Sequence, residues 1–231
     1  MQSVRMAESD TIKGRGRKGQ PESDSCAAKM AGAACGLAVD IGTTTVVMGL
    51  YDLDSGERLA GLQEKNSQTL LGADVMMRLM HCQRGSQHTL EQRIREQIQN
   101  MAEQLCDGFC ALEQIKTIAV VGNTTMCHIF LGQDISGLAG SPFRPAYRGI
   151  YRCKGSDIAL QEMKDIDVIV PAGIDAHVGA DAVSMICALQ LQETKETVLA
   201  VDIGTNAEIA LSCKGEISVC SAPAGPAFEG A

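Results

Sequence analysis

The stretch that decides the fold is "AVDIGTTTVVMGL", residues 38–50, and a near copy follows as "AVDIGTNAEIAL", residues 200–211. Each copy starts as a buried strand, reaches a turn at Asp-Ile-Gly-Thr, and continues as a second strand. A turn signal at residues 54–56 and the strand "ERLAGLQEKN" extend the first copy into an antiparallel meander. Three strands in quick succession form the second. We therefore expect an internally duplicated β-meander.

The sequence between the two copies alternates between helical and extended patterns. Apolar residues at three- and four-residue spacing predict helices over 72–83 and 89–112, and a third helix is expected over 177–191. Strands are predicted over 117–123 and 166–173, with a short helix starting at Thr124 or Thr125 and a loop over 139–149. This alternation predicts an α/β domain with a mixed sheet.

Composition excludes several function classes. Apolar residues make up 45% of the chain and aromatic residues only 3%, so base-stacking platforms for single-stranded nucleic acid are not expected. A net charge of −8 argues against duplex nucleic acid or an anionic membrane as the main partner. Without an apolar run long enough to cross a bilayer or a secretory signal, the sequence predicts a cytoplasmic location.

The ten cysteines form no C-x-x-C motif. Free cysteine is among the most buried residue types, so a core role is favoured over metal ligation. Histidine is likewise more often a core or surface residue than a metal ligand, so we expect His128 and His177 in the core or at the surface. Residues 1–35 are rich in Gly, Ser, Lys and Arg and show no period, which predicts a disordered leader or linker.

The two Asp-Ile-Gly-Thr turns carry groups that suit phosphate. Gly42 and Gly204 let an anion approach the backbone closely. Hydroxyl, amide and backbone N–H donors follow each glycine, supplied by Thr43, Thr44, Thr45, Thr205 and Asn206. Two such turns that face each other would hold a polyphosphate from both sides. The alternative, that each is only a strand-ending turn, is disfavoured because the element occurs twice.

Two aspartates, Asp40 and Asp202, precede these glycines. A carboxylate repels phosphate, so these side chains are expected to hold Mg²⁺ through water or to orient an attacking water. They are the candidate catalytic and metal-binding residues. The role of Glu208, two residues beyond Asn206, stays open.

Several motifs resemble a known family. The motifs "VDIGTTTV", "NSQTLLGADVMMR", "VVGNTTMCHIFLG", "SPFRP", "VGADA" and "VDIGTNAEIAL…APAGPAFEGA" resemble the reductive activators of corrinoid proteins, over residues 36–231. These enzymes belong to the acetate and sugar kinase/heat-shock cognate/actin superfamily. The resemblance implies a ribonuclease H-like, actin-type ATPase fold, ATP and Mg²⁺ as cofactors, and ATP-coupled reduction of a cobalt(II) corrinoid to cobalt(I).

The resemblance assigns residues 40–44 to a phosphate-1 hairpin and residues 202–206 to a phosphate-2 hairpin. Asn123 and Thr124 lie at a strand-to-helix turn, where they bind an anion or merely cap the helix. Gly179 and Asp181 line the cleft or cap another helix. Gly225 opens a loop, residues 225–230, that is expected near the nucleotide.

The sequence also departs from the family pattern. Members of the family carry an iron–sulfur domain with clustered cysteines. The N-terminus of this sequence has only Cys26 and Cys35, which alone are too few to bind such a cluster. Only 29 residues follow Asp202. We therefore expect a truncated second lobe with exposed apolar surface, impaired activity and weak or absent binding of ATP by this chain alone.

These expectations divide the chain into a leader (1–35), a first ATPase lobe with the phosphate-1 hairpin (36–196) and the start of a second lobe with the phosphate-2 hairpin (197–231). The resemblance implies a corrinoid protein as partner and a homodimer. Two other functions stay open: a non-catalytic module that binds a corrinoid protein, and a small-molecule kinase of the same superfamily.

Overall fold

In a computed structural model that describes residues 34–225, the two repeated units form separate sheets. The predictions for residues 1–33, including Cys26, and for residues 226–231 lie outside the described residues. No helix in the described part of the chain is long and apolar enough to cross a membrane.

The first sheet has six strands in the order β3-β2-β1-β4-β6-β5. Their bounds are β1 Cys35–Ile41, β2 Thr45–Asp52, β3 Arg58–Lys65, β4 Ile115–Gly122, β5 Tyr151–Lys154 and β6 Asp167–Val170. The first three strands form the expected antiparallel meander, while β4 pairs in parallel with both β1 and β6. The carboxyl ends of β1, β4 and β6 therefore lie at one edge, where α/β sheets bind ligands.

Residues 34–225 contain four α-helices: α1 Val75–His81, α2 Gln87–Cys106, α3 Thr124–Leu131 and α4 Ala180–Ala188. The first three lie between strands of this sheet, and α4 follows β6. The predicted apolar stripe on α2 is confirmed, because Leu90, Ile94, Ile98, Met101 and Leu105 are all buried. The predicted extent to residue 112 was wrong. Gly108 adopts a φ of +80°, which ends the helix soon after Cys106. The predicted helix over 177–191 is likewise shorter than expected, and β5 was not predicted.

The second sheet contains β7 Val198–Ile203, β8 Asn206–Cys213 and β9 Glu216–Pro223, all antiparallel. One face of it packs against α4, where Met185 and Ile186 lie next to Ala200 and Ala210. The duplicated meander that the sequence predicts is thus present in the structure. The fold is a mixed α/β arrangement, as expected.

The two copies of the meander differ in what covers their apolar faces. Leu37 in the first copy is 2% exposed, because it belongs to the main core with α2 and α3. Leu199, at the same place in the second copy, is 62% exposed. Val201 and Ile203 continue this exposed row along β7, and Leu211 lies opposite Leu199 on β8. The second sheet therefore presents an open apolar face.

We predict that the matched substitutions Leu37→Ala and Leu199→Ala have very different costs. Leu37→Ala empties a filled core position and should lower the free energy of unfolding by about 2–5 kcal/mol. Leu199→Ala removes a side chain that is mostly in water and should change it by less than about 1 kcal/mol. Urea denaturation of the two variants measures the difference. Equal losses would mean that Leu199 is packed in solution.

Candidate functional site

The two repeated hairpins meet side by side. The hydroxyl oxygens of Thr44 and Thr205 lie 2.9 Å apart, within hydrogen-bond distance, although the residues are 161 positions apart in sequence. Both side chains follow the glycine of their turn. The structure therefore brings together the two hairpins that the sequence predicts to face each other.

The phosphate-1 hairpin needs glycine at its first turn position. A Cβ on Gly42 would lie 2.6 Å from the carbonyl oxygen of Thr45, which no side chain tolerates. Thr43, the next residue, is buried, and Thr45 already begins β2. The backbone thus makes a tight turn directly at the end of β1.

Asn66 supports this hairpin and was not identified from the sequence. Its side-chain amide donates to the carbonyl of Gly42 at 2.8 Å, and its backbone N–H donates to the carbonyl of Thr44 at 2.7 Å. Its side-chain oxygen accepts from the N–H of Gln68. The only signal in the sequence was its place in the motif "NSQTLLGADVMMR", which does not reveal a contact 24 residues away.

The turn after β4 lies against the same hairpin. Asn123 caps α3, since its side-chain oxygen accepts from the N–H of Met126 at 3.0 Å. Its amide also donates to the hydroxyl of Thr43 at 3.2 Å. Asn123 therefore caps the helix, one of the two roles considered for it from the sequence. The same side chain also connects the helix N-terminus to the phosphate-1 hairpin. A helix N-terminus at this point favours negative charge.

Thr124 and Gly179 hold the start of α4 in place. The hydroxyl of Thr124 donates to the carbonyl of Asp175 at 2.8 Å, so this side chain has a structural partner. A Cβ on Gly179 would lie 2.6 Å from both the carbonyl oxygen of Gly122 and the nitrogen of Thr124. Glycine is therefore required where the first turn of α4 approaches the turn after β4.

The phosphate-2 hairpin is closed by its own backbone. The N–H of Gly204 donates to the carbonyl of Asn206 at 2.8 Å. The carbonyl of Thr205 accepts from the N–H groups of Ala224 and Gly225 at 3.1 and 2.9 Å. Gly225 thus lies next to the hairpin with a φ of +84°, a conformation that favours glycine.

The strands of the two hairpins pair in different registers. This difference sets the position of Glu208, whose role the sequence left open. In the first copy Asp40 pairs with Val47, whereas in the second Asp202 pairs with Glu208, one position earlier. Directly paired residues of antiparallel strands project their side chains on the same face. Glu208 therefore shares a face with Asp202, and the N-terminus of α4 brings Asp181 into the same electrostatic environment.

Two of these carboxyl groups, Glu208 and Asp181, have raised pKa values. Burial raises the pKa of Glu208 to about 7, and the charges of Asp181 and Asp202 add to the shift. Burial likewise raises the pKa of Asp181 to about 6, with a contribution from Asp202. The hydroxyl of Ser221 donates to Glu208 at 3.1 Å and partly opposes its shift. Such a cluster is suited to a nearby cation or to proton transfer.

Comparison with known proteins gives the family. A family model described as the RACo middle region matches residues 35–194, and one described as the C-terminal domain of RACo, the ASKHA domain, matches residues 196–231. The chain belongs to the RACo family, the reductive activators of corrinoid proteins. The resemblance stated from the sequence motifs is therefore confirmed, and so is the ASKHA-type fold.

Two curated proteins resemble this chain over most of its length. The corrinoid activation enzyme RamQ of Eubacterium limosum is 34% identical over 85% of the chain and 33% of its own length. The [Co(II) methylated amine-specific corrinoid protein] reductase of Methanosarcina barkeri is 30% identical over 84% of the chain and 37% of its own length. The chain thus spans about a third of the length of these relatives.

One solved structure extends the comparison to three dimensions. A reductive activator for a corrinoid, iron–sulfur protein superposes with a TM-score of 0.83 at 33% identity. The match covers 87% of this chain and 32% of that one. The arrangement of both sheets and of the helices between them is thus that of a RACo protein.

The described part of the chain contains no preformed metal site. Among residues 34–225, no group of three or more His, Cys, Asp or Glu side chains is arranged to hold a metal ion. Mg²⁺ usually keeps several waters and binds through one or two carboxylates and a phosphate, so this finding is compatible with Mg²⁺. An iron–sulfur cluster needs several cysteine thiolates and does not fit the described residues.

His128 has a structural role, as expected. It is buried and its Nδ1 donates to the carbonyl of Thr124 at 2.7 Å, while its Nε2 accepts from the N–H of Ala146 at 3.1 Å. Burial lowers its pKa, which favours the neutral ring. His177 packs edge-on against the ring of Phe143.

We predict that Glu208→Gln changes how stability depends on pH. An unfolded glutamate titrates near pH 4.5, so the folded protein holds an extra proton between there and about pH 7, and its stability falls as pH rises through this window. Glu208→Gln should remove that part of the fall and stabilise the protein by on the order of 1 kcal/mol at pH 8.

Urea denaturation between pH 5 and pH 8 measures this slope. Glu216→Gln, an exposed change on the adjacent strand, is the matched control and should follow the wild type. Asp181 still titrates in both proteins, so a smaller slope remains. An unchanged slope in Glu208→Gln would show that Glu208 ionises freely in the folded state.

Proposed function

We propose that this chain supplies the phosphate clamp of an ATP-dependent activator that returns cobalt(II) corrinoid to cobalt(I). By phosphate clamp we mean the phosphate-1 hairpin (40–44), the phosphate-2 hairpin (202–206) and the N-terminus of α3. The observation that carries the proposal is the 2.9 Å contact between Thr44 and Thr205, which joins both hairpins at one point. The family relation supports the reaction.

In the proposed clamp the two sides have different tasks. The first hairpin and the N-terminus of α3 offer N–H and hydroxyl donors to the terminal phosphates. The second hairpin adds the carboxylate of Asp202, which together with Asp40 of the first hairpin is the candidate for water-mediated contact with Mg²⁺. The bound Mg²⁺ would neutralise charge that develops on the phosphates. The raised pKa values of Glu208 and Asp181, about 7 and about 6, make their deprotonated carboxylates candidates to accept a proton from the attacking water.

The reduction itself belongs to the whole protein in this proposal. The relatives named above act on corrinoid proteins, and we propose a corrinoid protein as the partner here as well, with a homodimer and a cytoplasmic location as in the sequence-based prediction. The described residues supply no ligand set for an iron–sulfur cluster, so the electron carrier is not assigned to them.

A small-molecule kinase of the same superfamily is the second candidate. Such an enzyme needs a carboxylate base near the phosphates, and Glu208 has the burial and the raised pKa for this role. The family relation to corrinoid activators weighs against it. A kinase would consume ATP in the presence of a small hydroxylated or carboxylated substrate and would not require a corrinoid.

The clamp predicts recognition of the phosphates more than of the base. Mg-ATP and Mg-tripolyphosphate should bind this chain with similar dissociation constants, weaker than about 100 μM, because every group of the proposed clamp is assigned to phosphate or Mg²⁺ and none to the base. Asp202→Asn should weaken binding in the presence of Mg²⁺ by about ten-fold and leave binding without Mg²⁺ nearly unchanged. Phosphorus NMR titration, with amide shifts of the hairpins, measures both effects.

Asp54→Asn, at the turn on the opposite end of β2, is the matched control and should bind as the wild type does. Binding of Mg-ATP at micromolar affinity would contradict the expected weakness. Absence of any shift in the hairpin amides, with either ligand, would contradict the clamp.

The proposed reaction is tested with a corrinoid protein held in the cobalt(II) state and a low-potential chemical reductant. Loss of the cobalt(II) electron paramagnetic resonance signal should require the activator that contains this chain together with Mg-ATP. Asp202→Asn in that protein should slow the loss by about ten-fold or more. Reduction that proceeds equally without ATP would exclude the proposed coupling.

A further inference from the structure

Three successive carbonyl groups of the phosphate-1 hairpin each accept a hydrogen bond from Asn66 or Arg78. Asn66 donates to the carbonyl of Gly42 through its side chain and to that of Thr44 through its backbone, at 2.8 and 2.7 Å. Between them, the guanidinium of Arg78 donates to the carbonyl of Thr43. Each carbonyl of the turn thus has a protein donor.

The corresponding N–H groups point the other way. In a planar trans peptide the C=O and N–H are directed oppositely, so the N–H groups of Thr43 and Thr44 face away from Asn66 and Arg78. Within residues 34–225 neither of these N–H groups has a hydrogen-bond acceptor. Successive N–H groups that point to one side form a binding site for an anion.

Arg78 is an unusual residue to find behind such a turn. It is fully buried, and its other contacts are the carbonyl of Gly72 at 3.1 Å, the side-chain oxygen of Gln68 at 3.2 Å and the sulfur of Met126 at 2.8 Å. All of these partners are neutral. Burial lowers its pKa to about 10, opposed by the charge of exposed Asp74, so the side chain stays charged at neutral pH.

Arg95, which is also strongly buried, shows the contrast. Arg95 also donates to a backbone carbonyl, that of Phe130 at 2.8 Å, but it forms an ion pair with Glu91 at 3.6 Å. Arg78 forms no ion pair with any described residue. A buried charge without a counter-charge is costly, and an anion one peptide layer away would offset that cost.

We propose that Arg78 is the positioning residue of the phosphate-1 hairpin, and that its fixed positive charge makes this hairpin selective for polyphosphate anions. The inference rests on the proposed phosphate clamp and adds to it the source of its positive potential. Arg78 acts through the peptide between Thr43 and Thr44 and does not contact the ligand. Because it also contacts Met126 in α3, it holds the hairpin and that helix together.

The test compares Mg-tripolyphosphate affinity in Arg78→Met, Arg78→Lys and the matched control Arg95→Met. Arg78→Met keeps an apolar stem of similar length without the charge and should raise the dissociation constant by about ten-fold or more. Arg78→Lys keeps a charge and should raise it by less than about three-fold at pH 7. Arg95→Met should destabilise the protein without changing the affinity of the folded fraction. Phosphorus NMR titration gives the constants, and thermal unfolding reports folding.

A pH profile separates charge from mere packing. Burial depresses the pKa of a lysine, so the affinity of Arg78→Lys relative to that of the wild type should fall as pH rises from 7 to about 9.5. Glu208 titrates in both proteins and cancels from this ratio. If Arg78→Met does not fold, this profile decides, and a profile parallel to that of the wild type overturns the inference.

The outcomes for the clamp and for Arg78 are distinct. A folded Arg78→Met protein that binds within about two-fold of the wild type overturns the role of Arg78 and leaves the clamp intact. A wild-type protein that does not bind tripolyphosphate overturns the clamp, and the inference about Arg78 with it.

Discussion

The parallel pairing of β1 with β4 is the constraint on which the site depends. Ile41, the last residue of β1, pairs with Gly122, the last residue of β4, so both strands end at the same level. A Cβ on Gly122 would lie 2.7 Å from the carbonyl oxygen of Ile41, and its φ of +152° also favours glycine. The close approach brings Asn123 next to Thr43 and thereby places a helix N-terminus beside the phosphate-1 hairpin.

The two hairpins share a sequence but differ in electrostatic character. The first is backed by the buried cation of Arg78, and the residue paired with its aspartate is Val47. In the second, the residue paired with Asp202 is the buried Glu208. One hairpin therefore favours an anion and the other favours a cation. A phosphate that carries Mg²⁺ presents both charges, which is the physical basis of the clamp proposed for this RACo-family chain.

The same asymmetry extends to packing. The apolar row of β1 is covered by α2 and α3, whereas the equivalent row of β7 is exposed to solvent. The other face of the second sheet rests on α4, whose N-terminus brings Asp181 toward Asp202. Burial on this face raises the pKa of Glu208 and of Asp181, while Asp202 beside them stays exposed. The chemistry of the second hairpin depends on this helix as much as on the turn itself.

The sequence by itself determined the elements that rest on local pattern. The sequence predicted the apolar period of α2, the two meanders and the glycine turns. Burial of one face imposes an apolar period on a helix, and the tight turns of these hairpins require glycine. The ends of the helices were harder to predict from the sequence. The helix α2 ends at Cys106, close to Gly108 with its positive φ, whereas the apolar pattern continues to residue 112.

Only the tertiary structure decided which residues act together. Asn66 and Arg78 hold carbonyls 24 and 35 positions away, and no local pattern encodes such a contact. The register shift that places Glu208 opposite Asp202 was also invisible, since both copies carry the same Asp-Ile-Gly-Thr letters. Backbone hydrogen bonds between distant strands set that register, and burial against α4 then sets the charge of the carboxyl groups.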